Sequence, residues 1–159
     1  MPGELHPFLV HFAVGLIVAA PAFDAAGLLL HREALLHAGR WNTLAAAVTT
    51  IAAVLTGIGA QASLGAHSPA GAALLHLHAG LGWVLLVAWT PVAVWRGASR
   101  LPLPSRLRTV YLALAFAGAA ICLVETGLGA ALVYRHGVGL SPAARAEPIQ
   151  RPPTLDAPR

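Results

Sequence analysis

The residues best equipped for chemistry in this chain of 159 are its eight histidines, which occur beside only six acids, one cysteine and one methionine. Six of them (His6, His11, His67, His76, His78 and His136) fall at or near one end of the long apolar stretches, and His31 and His37 fall at the other. Two share a pattern, His11-Phe-Ala-Val-Gly15 and His78-Ala-Gly-Leu-Gly82, offset by 67. A glycine four residues on lies one turn away on the same helix face and leaves room for a flat macrocycle against the backbone. Two imidazoles on facing helices of a bundle are a ligand set for six-coordinate haem iron, which has no open position and so suits electron transfer rather than oxygen chemistry. His76 and His78 are about 200° apart around a helix. Only one of them can face a bundle centre, and the repeat selects His78.

The repetition extends beyond the histidines. Thr56-Gly57-Ile58-Gly59-Ala60 returns as Thr126-Gly127-Leu128-Gly129-Ala130, offset by 70, and His67 and His136 follow the two segments by eleven and ten residues. This order predicts a duplicated two-helix hairpin whose halves are parallel repeats about an axis along the membrane normal. Plainer roles compete. A buried histidine can bond a carbonyl of a neighbouring helix, and the Thr-Gly-x-Gly-Ala segments can serve close helix packing. His6, directly before Pro7, reads as a polar interface residue.

Two acids lie inside apolar stretches. Asp24 falls where Arg40 and the arginines of a later loop gather, which predicts a structural ion pair. Glu125 has no basic residue at its depth, nine residues before Tyr134. An uncompensated carboxylate there is costly, so Glu125 must be protonated or hydrogen-bonded to a histidine or Thr126. It is the candidate proton site. Cys122, the single cysteine, has no partner for an internal disulfide.

The elements that position these residues follow from composition. The chain is 57% hydrophobic and 10% charged, with a mean hydropathy of +0.71, whereas a soluble domain carries about 25% charged residues. That excludes a soluble enzyme. The basic residues are all arginine and sit between apolar runs rather than among aromatics, so nucleic-acid binding is not expected. A membrane-spanning helix needs about 20 apolar residues. The runs predict an all-α, four-helix transmembrane bundle, residues 1–136, with helices near 7–30, 42–65, 69–95 and 108–135. The first run has no positive segment before it and reads as a retained helix rather than a leader. Ser68 before Pro69 reads as a helix cap. Arginines between the first and second and between the third and fourth helices predict cytoplasmic loops, with both termini extracytoplasmic. Residues 137–159, rich in proline, read as an extracytoplasmic tail.

The segment Leu5-His6-Pro7-Phe8-Leu9-Val10-His11-Phe12, with Asp24 further along, resembles the start of a prokaryotic four-helix membrane family, domain of unknown function 2231. Leu132-Val133-Tyr134-Arg135-His136-Gly137-Val138-Gly139 resembles that family's ending, and Thr56-Gly57 and His78 fall where members have similar residues. The chain departs from the pattern at Ala13, where proline is usual, and at Gln61, where a carboxylate is common. Similar domains occur beside c-type cytochrome and sugar-dehydrogenase modules, which implies a respiratory setting in the bacterial inner membrane.

These readings converge on a membrane electron-transfer module rather than a stand-alone enzyme. It would hold a b-type haem near the outer face between His11 and His78, beside Gly15 and Gly82. Its partners would be a c-type cytochrome, a periplasmic dehydrogenase or quinone, within a larger membrane complex. The alternatives are transition-metal binding or transport, with His6, His67, His76 and His136 joining the ligands, and a structural membrane-anchor subunit.

Overall fold

A computed structural model describes residues 2–65, 67–99 and 105–140. They form four helices: α1 (Pro2–Leu29), α2 (Glu33–Ala62), α3 (Pro69–Ala98) and α4 (Ser105–His136). All four are long and apolar enough to cross a membrane. A helix of 30 residues, as α2 and α3 are, spans about 45 Å. The chain is therefore an all-α membrane bundle, as its composition requires.

The corners are set locally. Ser68 Oγ accepts the Gly71 N–H at 3.1 Å and Pro69 occupies the first turn, where its missing N–H costs nothing. Between α1 and α2 only three residues intervene. His31 adopts φ 54°, and the Arg32 N–H reaches back to Gly27 O at 3.0 Å. This hairpin is tight: a Cβ on Gly27 would fall 2.7 Å from Leu36 Cδ2.

Helix α2 begins at Glu33, nine residues before the position suggested by the arginines. Arg40 is a helical residue rather than a loop residue. Its long side chain reaches along the helix end to donate to the carbonyl of Gly97, which spares the guanidinium an apolar setting. At the other end of the chain, Gly137 (φ 60°) turns it back, the Val138 N–H donates to Leu132 O at 3.0 Å, and Val138 is buried. The expected tail thus begins with packed residues, and 141–159 lie outside the described residues.

Neighbours pack in a ring, α1 on α2, α2 on α3, α3 on α4 and α4 on α1, so α1 and α3 face each other along a diagonal. The centre is filled by Ile17, Ala20, Ala46, Leu85, Trp89, Ala93, Ala119 and Cys122. Small side chains on one helix admit a large one from its neighbour: Trp89 lies over Gly118, where a Cβ would meet its ring at 2.7 Å.

Buried positions in the two halves match by residue number at an offset of 72. Ala13, Ile17, Ala20, Pro21 and Asp24 are buried, and so are Leu85, Trp89, Val92, Ala93 and Arg96. On the second helix of each half the same holds for Gly39, Thr43, Ala46, Thr50 and Ala53 against Tyr111, Ala115, Gly118, Cys122 and Glu125. The duplicated hairpin is thus visible in the burial pattern. Its register is 72, not the 67 and 70 of the short motifs.

Candidate functional site

Polar side chains meet in the bundle interior at two levels. His6 and Asp24 are 18 residues apart on α1, about 27 Å, so the two levels lie near opposite edges of a hydrocarbon core about 30 Å thick.

At the Asp24 end the carboxylate is fully engaged. Arg96 donates to it twice, Nη2 to Oδ1 at 2.6 Å and Nε to Oδ2 at 3.1 Å. Tyr111 Oη donates to Oδ2 at 2.7 Å. Arg96 Nη2 also donates to Leu36 O at 2.9 Å. Asp24 and Arg96 are 2% and 1% exposed, so this is a pair out of reach of water, joining all four helices. The absent side chain of Gly39 makes the room, since a Cβ there would overlap the Asp24 carboxylate. The ion pair expected for Asp24 is present, with Arg96 as its partner. Tyr111, 1% exposed, is a buried donor.

At the His6 end, His6 on α1 and His78 on α3 meet across the diagonal, their rings edge to face with centroids 6.3 Å apart. Each leans on the second helix of its own hairpin. His6 Nδ1 lies 2.9 Å from Ala53 O, and His78 Nδ1 lies 3.2 Å from Glu125 O, 47 residues on in both cases. A carbonyl only accepts, so Nδ1 carries the proton and Nε2 of the neutral ring keeps its lone pair. A glycine makes room for each ring: a Cβ on Gly57 would lie 3.1 Å from His6 Cε1, and one on Gly129 would lie 3.1 Å from His78 Cε1. Glu125 Oε1 lies 3.1 Å from the same His78 Nδ1. The buried acid thus sits beside a histidine whose ring N–H is given to the Glu125 backbone carbonyl. Gly82 faces the same carboxylate, with Glu125 Oε1 at 3.9 Å from where its Cβ would be.

A cavity of about 30 Å³, bordered by Val10, Thr50, Gly82, Cys122 and Glu125, lies one helical turn further into the bundle and is lined by neither His6 nor His78. It has room for one or two waters. Among the described residues no group of three or more His, Cys, Asp or Glu side chains converges as a metal shell.

The structure does not bring His11 to His78. His11 is exposed on the outer surface of α1, its Nδ1 donating to Pro7 O of its own helix, and Gly15 has nothing within 4 Å of a Cβ. Five residues separate His11 from His6, about 140° around the helix, so only one of the two can point inward. His76 faces outward and His78 inward. His67 is half-buried in the α2–α3 connection, and His136 packs its Cβ near Gly71 at the end of α4. Neither joins the His6–His78 cluster. His6, read from the sequence as an interface residue, and Tyr111, which the sequence did not single out for the site, are the residues that sequence reasoning missed. A signal for the first was present: Leu5-His6 and Leu77-His78 recur at 72, as do Gly57 and Gly129.

A family model described as predicted membrane protein, DUF2231, matches residues 3–142. No curated protein and no solved structure matches the chain.

Proposed function

The chain belongs to this DUF2231 family of predicted membrane proteins, and we propose that it is a membrane electron-transfer module carrying a metal centre ligated by His6 and His78. The observation that carries this reading is the ring pair itself. Two imidazoles face each other from diagonal helices with centroids 6.3 Å apart, each with Nδ1 committed to a carbonyl. Metal-ligating histidines hold their other ring nitrogen in this way. Two imidazoles sharing one metal at about 2.0–2.1 Å per nitrogen have centroids about 6 Å apart.

The donor set favours b-type haem. Two protein nitrogens suffice for a haem iron, which takes its other four ligands from its own ring, and with both axial positions filled the group would pass electrons. The cavity one helical turn further into the bundle from the rings is about 30 Å³, so seating a macrocycle requires the two hairpins to part at the His6 end. The hairpins meet along α2–α3 and α4–α1, less closely than α1 meets α2.

The same ring pair also fits a second reading, a single transition-metal ion such as zinc, copper, iron or nickel, because centroids 6.3 Å apart suit two nitrogens on one ion. It needs no such movement, and water would complete its shell. In both readings Glu125, whose Oε1 lies 3.1 Å from His78 Nδ1, is the group positioned to exchange a proton with the centre. The arginine distribution points to the His6 end lying outside a bacterial inner membrane, where a c-type cytochrome, a periplasmic dehydrogenase or quinone would be the electron partner.

One preparation decides. Detergent-purified protein, expressed with ample haem, should show a low-spin haem spectrum that sharpens on dithionite reduction. A colourless protein with one bound metal per chain moves the assignment to the ion. A colourless, metal-free protein overturns both and leaves a structural subunit.

A further inference from the structure

Between α3 and α4, at the His6 end, runs a groove of about 520 Å³, within the range of about 300–1,000 Å³ found for small-molecule sites. Ala70, Ala73 and Leu77 form one wall, and Leu128 and Ala131 the other; the rim carries Arg135. Three alanines make the hollow. Above it the helices close again, because Gly71 admits His136 and Val138, whose atoms lie 3.4 Å and 3.6 Å from where its Cβ would be. Arg135 is exposed at its rim. Among the described residues no acid lines it.

The first hairpin differs at the described positions that correspond. At an offset of 72 the positions of Leu77, Leu128, Ala131 and Arg135 are held by Leu5, Thr56, Gly59 and Ser63. The charge is absent, and α1 and α2 lie closer together than α3 and α4. An apolar slot ending in one fixed cation, at the level where a helix leaves the hydrocarbon, matches a molecule with an apolar chain and an anionic head. We propose that this groove binds one anionic phospholipid, an acyl chain lying between α3 and α4 and its phosphate meeting Arg135. Basic sites between membrane helices recognise anionic headgroups in this way. The inference does not depend on a metal centre at His6 and His78.

The test uses the full chain in vesicles of equal parts phosphatidylglycerol and phosphatidylcholine, extracted and weighed by native mass spectrometry. One phosphatidylglycerol should be retained in preference to phosphatidylcholine by about fivefold, the effect of one arginine near a headgroup. Arg135→Gln should erase that preference. Ala73→Phe, at an exposed position that tolerates bulk, should fill the slot and reduce retention of both lipids, with helix content unchanged by circular dichroism. Millimolar inorganic phosphate should not displace the lipid. Equal retention of the two lipids by the wild type would overturn the proposal. So would a preference that survives Arg135→Gln, retention unaffected by Ala73→Phe, or displacement by phosphate, which would mark a free-anion site.

Discussion

Asp24 and Arg96 occupy the same position in the two repeats, 72 residues apart, and bond to each other across the bundle diagonal at 2.6 Å. A symmetric pair of like charges could not meet there. Opposite charges at this pair of buried positions make a lock that also holds Tyr111 and the start of α2. Removing one partner leaves a buried charge without compensation, which costs about 3–5 kcal/mol. Arg96→Met should therefore destabilise the bundle by that order, and Asp24→Leu combined with Arg96→Met should recover most of the loss. Thermal unfolding in detergent measures both. A double variant no more stable than the single one would show that the pair does more than neutralise itself.

The glycines make a paired prediction. Gly129→Ala and Gly57→Ala each drive a methyl to 3.1 Å from a histidine ring, whereas Gly127 and Gly59 have nothing within 4 Å. The first two should lower content of the metal centre. Gly127→Ala and Gly59→Ala should leave it intact and add up to about 1 kcal/mol each to helix stability. Metal or haem per chain, read beside unfolding temperature, separates the pairs. Equal effects from all four would detach the glycines from the rings.

Glu125→Gln leaves in place the backbone carbonyl to which His78 Nδ1 donates, so the ring should keep its orientation and the centre its occupancy. What changes is proton exchange. The wild-type midpoint potential should vary with pH, and in Glu125→Gln that dependence should flatten. Loss of the centre in Glu125→Gln would make the acid a structural or ligating group instead.

Composition and arginine placement were enough to read four membrane helices, because hydrophobic length is a property of the chain alone. The Ser68 cap and the Asp24 ion pair were legible for the same local reasons. Which histidine faces inward was not. His-x-x-x-Gly at an offset of 67 aligned His11 with His78, yet the burial of Ala13, Ile17, Ala20 and Asp24 against Leu85, Trp89, Val92 and Arg96 runs at 72. Glycine and alanine are so common here that short matches arise at several offsets, and large residues filling the centre of one half face small ones in the other. Arg96 was misleading for a different reason. An arginine near a helix end reads as a loop charge, and only the tertiary pairing with Asp24 explains why it is 1% exposed.

The most direct test is the reduced-minus-oxidised absorption spectrum, with metal content, of purified wild type, His6→Ala, His78→Ala and His11→Ala. The centre should be present in the wild type, lost in His6→Ala and in His78→Ala, and retained in His11→Ala, whose ring is turned to the bundle's outer surface. Loss in His11→Ala with retention in His6→Ala would contradict the assignment and return the site to the outer face of α1.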